Sequence, residues 1–291
     1  MKNIKGLGVA MVTPFSANGK IDFSALDKLT NFLIDNGVDY LVVQGTTGES
    51  PALSEAEKLD VLSRVIKVNN ARLPIVYGIG GNNTTATAEK LRQFKTSGVD
   101  AILSVSPYYN KPTQEGIYQH FKTIAEATEL PVILYNVPGR TASNMLPATT
   151  LRLANDFKNI VAVKEASGDL EQIMELIQNK PEQFLIISGD DALTMPIISA
   201  GGDGVISVIG NGLPKLFSAM TYAALNNDMV TSRELHYKTF PLIKHLFSEG
   251  NPAGIKEVLK YYDVCDTHLR LPLVNVSVDT KTKIVEFLDK L

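Results

Sequence analysis

The chain has 291 residues, 44% hydrophobic and 20% charged, with a formal net charge of -3. That composition supports a sizeable buried core and excludes a disordered or fibrous polymer. The absence of any long basic or acidic block argues against nucleic acid or an anionic membrane as partner. The single cysteine, Cys265, excludes an internal disulfide and fits a reducing compartment.

The N-terminus, Met-Lys-Asn-Ile-Lys-Gly, runs straight into an apolar stretch without a signal-peptide core. No apolar run approaches the roughly 20 residues of a membrane helix, so the expectation is a soluble, cytoplasmic protein. Eight short runs rich in Val, Ile and Leu follow: Leu7–Val12, Tyr40–Val43, Ile75–Ile79, Ala101–Val105, Val132–Tyr135, Ile160–Val163, Phe184–Ile187 and Gly204–Ile209. Strands buried on both faces read this way, and such strands belong to parallel sheets. Between them, Phe23–Asn36, Glu55–Asn69, Thr84–Ser97 and Glu115–Thr128 place apolar residues at helical spacing.

The punctuation agrees. Asp22 opens the first helix, and Ser54 with Glu57 stands in capping-box register. Gly37 and Gly98 each end a helix where a left-handed residue is needed. Pro74 and Pro131 stop helices and start strands. Eight strand–helix units without a linker predict an α/β fold, a closed (β/α)8 barrel; an open doubly wound sheet is the rival. The alternation breaks after Asn226. Residues 1–226 are therefore expected to form the barrel. Residues 227–291 are expected to form a helical extension packed on it, with helices over Ser232–Phe247, Ala253–Tyr262 and Lys281–Leu291.

In a parallel barrel the working groups gather at the C-terminal strand ends. Lys164 closes the sixth strand. By strand alternation it shares a face with Ile160 and Ala162, while Val161, Val163 and Glu165 take the other. An amine in a poorly hydrated barrel mouth loses its proton more readily and can attack a ketone to give an imine, an electron sink for carbon–carbon chemistry. A lysine that snorkels to solvent is the plain structural alternative. Tyr135 ends the neighbouring strand, where a phenol can shuttle protons or simply be a buried aromatic. Arg140 follows a Pro-Gly turn and suits a carboxylate through paired hydrogen bonds, unless it is an ordinary surface arginine. Thr46 and Thr47 lie between glycines, which let the backbone approach a ligand so that exposed amides can hold a carboxylate; a tight turn is the plain structural alternative.

Other chemistries find little footing. His120, His236, His245 and His268 lack metal-ligand spacing. Gly78-Ile79-Gly80-Gly81 lacks the third glycine of a dinucleotide fingerprint, and no nucleophile elbow appears. Cys265 reads as a buried thiol. Glu165 is expected outside the barrel, and Asp190 and Asp191 at a turn and helix cap.

The stretches GTTGES, SPYYNKPT, YNVPGRT, VKEASGD and SGDD occur in that order. Together they resemble the dihydrodipicolinate synthase family over essentially the whole chain. The sister N-acetylneuraminate lyases share the barrel, the lysine and the glycine turn, but not the Pro-Gly-Arg-Thr step or the threonine pair. The resemblance implies a lyase of lysine and diaminopimelate biosynthesis that condenses pyruvate with L-aspartate 4-semialdehyde to 4-hydroxy-tetrahydrodipicolinate. It implies Lys164 as the imine-forming residue and Tyr135, Thr46 and Tyr109 as a proton relay, with Tyr109 reaching in from a neighbouring subunit of a homotetramer. It further implies that Thr47 and the turn at Thr46 hold the pyruvate carboxylate and that Arg140 receives that of the aldehyde. Gly189 and Ile206 would line the pyruvate pocket, and no metal or organic cofactor is implied. Ser50, Asn82 and Tyr108 match a lysine-inhibition site of the family, whereas Glu55, Lys58 and Ala86 depart from it, which implies weak or absent inhibition. Two alternatives stay open. One is a pyruvate-dependent class I aldolase acting on a sugar-acid aldehyde; the other is a catalytically silent barrel that binds a small molecule.

Overall fold

A computed structural model describes residues 4–95 and 97–291. Eight strands, β1 (Gly6–Ala10), β2 (Tyr40–Val43), β3 (Ile75–Gly78), β4 (Ala101–Val105), β5 (Val132–Asn136), β6 (Ile160–Glu165), β7 (Leu185–Ser188) and β8 (Gly204–Ser207), close into a barrel in chain order. Every neighbouring pair is parallel, including β1 with β8, so the open-sheet alternative is excluded. The fold is the predicted (β/α)8 barrel. Strand ends move by a few residues. β1 stops at Ala10, and the last stretch of Gly204–Ile209 turns into a 3-10 helix, Ile209–Asn211. β6 runs through Lys164 itself.

Local signals act where the sequence placed them. Asp22 accepts from the Ala25 amide, and Ser54 with Glu57 forms a reciprocal capping box. Gly37 and Gly98 take φ of 82° and 90°, a conformation that costs glycine nothing. Pro74 and Pro131 have no N–H to give, yet their carbonyls accept from Leu41 and Ile102 of the adjacent strands. The third helix, Thr84–Gln93, ends earlier than Ser97; Thr96, in the expected continuation, lies outside the described residues. Beyond the barrel come helices Met229–Phe247, Ala253–Tyr261 and Val278–Leu288, two of which begin three residues earlier than their apolar spacing suggested.

Two hydrophobic layers result from the alternation. Ala10, Tyr40, Val42, Val76, Leu103, Ile133, Tyr135 and Ala162 fill the barrel, while Leu7, Val9, Leu41, Ile75, Ile102 and Val163 pack outward against the helices. Gly8 makes room for this filling. A Cβ there would sit 2.1 Å from the Tyr40 ring, so the tyrosine occupies the space a side chain would need. The expected facing of Ile160 is wrong. The register between β5 and β6 shifts from Val132↔Ile160 to Ile133↔Ala162, an irregularity of the β-bulge kind. Ile160 therefore joins the outer layer and Val161 packs toward the inner one. From Ala162 onward the alternation holds, and Lys164 points inward.

Candidate active site

β5 and β6 deliver the central pair. Tyr135 stands in register with Lys164, and Asn136 with Glu165. Lys164 and Tyr135 are each only 6% exposed, and the Lys164 Nζ lies 4.3 Å from the centroid of the Tyr135 ring. The next residue goes the other way. Glu165, outside the barrel, accepts from Asn136 Nδ2 at 3.1 and 3.2 Å, the Ser167 amide at 2.8 Å and Gln172 Nε2 at 3.4 Å. Burial pushes its carboxyl above the usual carboxylate range, against the pull of those bonds. The nearest carboxylate in sequence is thus turned away, and among the described residues Lys164 forms no salt bridge.

Gly189, after β7, presses on the lysine stem. A Cβ there would lie 2.8 Å from Ala166 Cβ and 3.1 Å from Lys164 Cε, so glycine is what the close approach requires. Its amide donates to the Glu165 carbonyl at 2.7 Å. Ile206 on β8 is 1% exposed within the inner layer. Asp190 caps the short turn that follows by accepting from Ala192 N. Asp191 does not cap its own turn; it accepts from the amides of Val208 and Ile209 at 3.0 and 2.8 Å, tying the β7 loop to the β8 loop. Complete burial raises its carboxyl to about 6, although those amides pull it down.

After β2 the chain forms a 3-10 turn over Thr46–Gly48 rather than entering a helix directly. Glu49 follows in the left-handed region at φ 54°. Thr47 is 2% exposed, and its Oγ1 accepts from Asn251 Nδ2 at 2.9 Å. Under the turn, Lys256 Nζ donates to Glu49 Oε1 at 2.6 Å, to the Thr13 carbonyl at 2.9 Å and to the His268 carbonyl at 2.7 Å. Both members of this ion pair are fully buried. Sequence reading missed Asn251, Lys256 and this role of Glu49, since nothing in a one-dimensional pattern joins residue 49 to residue 256.

A cavity of about 320 Å³ opens at this rim, with Gln44, Thr46, Ser50, Tyr108, Tyr135 and Arg140 among its walls. Thr46, Tyr135 and Arg140 are therefore brought together. Lys164, Thr47, Gly189 and Ile206 are not among the cavity's walls. Tyr109 is not brought in: it is 85% exposed, with φ at 75°, while the neighbouring Tyr108 accepts through its carbonyl from Asn82. Lys58 and Lys90, also among the cavity's walls, both pair with Glu55. His120 is buried against Thr84, and desolvation drops it to about 4. Cys265 is a buried thiol pushed up to about 12, chiefly by desolvation, which makes it a poor nucleophile. Among the described residues no three His, Cys, Asp or Glu side chains gather to hold a metal, and no helix is long and apolar enough to cross a membrane.

A closed parallel barrel with a buried lysine, a phenol and a hydroxyl-bearing glycine turn at its C-terminal rim has the layout of a (β/α)8-barrel enzyme. Residues 3–291 match the model of the dihydrodipicolinate synthetase family, and the chain belongs to that family. It is 54% identical over 291 residues to the 4-hydroxy-tetrahydrodipicolinate synthase of Flavobacterium psychrophilum, covering 100% of this chain and 99% of that relative. A crystal structure of a dihydrodipicolinate synthase superposes with a TM-score of 0.94 at 45% identity, covering 99% of both chains. A synthase variant described as monomeric superposes at 0.95 with 41% identity, covering 98% of this chain and 96% of the other.

Proposed function

We propose that the protein condenses pyruvate with L-aspartate 4-semialdehyde to 4-hydroxy-tetrahydrodipicolinate, in lysine and diaminopimelate biosynthesis, through an imine on Lys164. The observation that carries this reading is the inward Lys164 beside Tyr135, with Glu165 turned outward. The Lys164 amine adds to the ketone of pyruvate and water leaves, giving the imine. Loss of a methyl proton gives the enamine, whose carbon attacks the aldehyde. The amine of the second substrate then displaces Lys164 at the imine carbon and closes the ring. Atoms balance with one water released, and the lysine is regenerated without any metal or organic cofactor.

The remaining roles follow from position. Tyr135 and Thr46 face the same cavity and would relay protons. Thr47 would hold the pyruvate carboxylate, with Gly189 and Ile206 shaping the space around the lysine. Arg140, on the short helix Pro138–Thr141 at the cavity wall, would receive the carboxylate of the aldehyde substrate. The exposed Tyr109 would complete the relay in a neighbouring copy, as part of a homotetramer. We read residues 227–291 as a helical extension on a barrel of residues 1–226, and the protein as cytoplasmic. The departures at Glu55, Lys58 and Ala86 support weak or absent inhibition by lysine, with Glu55 already paired to Lys58 and Lys90. A lysine titration of the rate should leave it nearly unchanged; strong inhibition contradicts that reading.

The test is pyruvate consumption with L-aspartate 4-semialdehyde, run beside Lys164→Ala. Turnover that disappears in the variant supports both the substrate pair and the nucleophile. Pyruvate that is captured but not consumed keeps the imine chemistry and moves the second substrate to a sugar-acid aldehyde.

A further inference from the structure

The only hydrogen bond made by Thr47 Oγ1 among the described residues is the one it accepts from Asn251 Nδ2, at 2.9 Å and across 204 residues of chain. Both side chains are buried, Asn251 at 7% and Thr47 at 2% exposure. A hydroxyl carries one proton and two lone pairs. The Asn251 N–H occupies a lone pair, so the Thr47 proton still needs an acceptor. Asn251 cannot be that acceptor while its nitrogen faces Thr47, and its own Oδ1 is left buried with no partner among the described residues. A buried donor without an acceptor costs free energy, and the cost disappears when a ligand brings one.

We infer that Asn251 is a positioning residue: by donating to Thr47 Oγ1 it turns the threonine proton toward an anionic oxygen of the ligand. This rests on the reading of Thr47 as the holder of the pyruvate carboxylate. It deepens that reading by giving the C-terminal segment a part in substrate recognition. The ligand class selected is a 2-keto acid with an ionised carboxylate at this point. The neighbouring Glu49–Lys256 pair has a different task, because its groups bond one another and nearby carbonyls and leave no free donor toward a ligand.

The test uses the full chain and four variants: Thr47→Val, Asn251→Ala, Asn251→Asp and the double variant Thr47→Val/Asn251→Ala. KM for pyruvate, kcat and the pyruvate concentration giving half-maximal borohydride-trapped adduct are measured for each. Asn251→Ala should raise KM by about 5- to 10-fold, the size of one hydrogen bond between neutral groups, with the loss falling on KM rather than kcat. Asn251→Asp, nearly the same size, should raise it further, because its carboxylate accepts the Thr47 proton and repels the substrate anion. In the Thr47→Val background, Asn251→Ala should add nothing. An unchanged KM in Asn251→Ala beside a raised KM in Thr47→Val overturns the role of Asn251. So does an equal penalty in both backgrounds, or an Asn251→Asp variant that binds pyruvate as well as the parent. If Thr47→Val itself binds pyruvate normally, the carboxylate-holding role of Thr47 falls and takes this inference with it. Should Asn251→Ala not fold, Asn251→Asp decides alone.

Discussion

The strand pair β5–β6 and the threonine turn after β2 face the same barrel mouth but are held in place by opposite means. Lys164 and Tyr135 sit on adjacent parallel strands whose register sets them side by side. The turn has no such ladder. Thr47 and Glu49 are fixed by Asn251 and Lys256, which lie 204 and 207 residues away in sequence. Lys164 is placed by the sheet and the threonine turn by the C-terminal segment. Damage to the first should remove chemistry, and damage to the second should cost stability and substrate affinity.

The largest expected effect is at the strand pair. Lys164→Ala should lower kcat by about 10⁴-fold or more, since among the described residues no other buried amine stands beside Tyr135 to replace it, with little change in the urea midpoint. Next comes the brace of the turn. Lys256→Met leaves Glu49 buried without its counter-ion and should cost about 3–5 kcal/mol in urea denaturation. Replacing both members, Glu49→Leu with Lys256→Met, should recover much of that loss, and equal destabilisation in the single and double variants would erase the distinction drawn between the two regions. Gly189→Ala is intermediate. Its new Cβ meets Ala166 and the lysine stem, so a penalty of about 1–3 kcal/mol should appear together with slower trapping of pyruvate.

The smallest effect belongs to the periphery of the brace. Arg270 grips Glu57 through two nitrogens at 2.6 and 2.9 Å, and those hydrogen bonds hold the carboxyl at about 2. Because the folded value lies below the unfolded one, about 4.3, the pair stabilises fully above that pH. Its contribution is lost as pH falls through about 2. Partial exposure limits it to about 1 kcal/mol. Glu57→Gln should flatten this part of the acid-denaturation curve, and an unchanged curve would show that the pair contributes nothing.

The same contrast explains what the amino-acid sequence discloses. Barrel closure follows from eight strand–helix units without a linker, the inward Lys164 and the outward Glu165 from alternation along their strand, and capping residues mark the helix starts. The bulge that turns Ile160 outward does not show in that pattern, because a register shift depends on the partner strand. Asp191 reads as a helix cap from its neighbours, yet it bonds a loop that follows β8. Asn251 and Lys256 look like ordinary polar residues near a helix start. Their meaning comes from the barrel returning the C-terminal segment to a turn formed near the other end of the chain. Tyr109 is legible only through family resemblance, for a residue 85% exposed on one chain has no task that this chain alone defines.

The most direct test of the central claim is borohydride reduction of the protein in the presence of pyruvate, followed by peptide mass spectrometry. The account predicts one added pyruvate-derived group on the peptide that contains Lys164, and none in Lys164→Ala. An adduct on another lysine, or no adduct in a folded and active preparation, would contradict it.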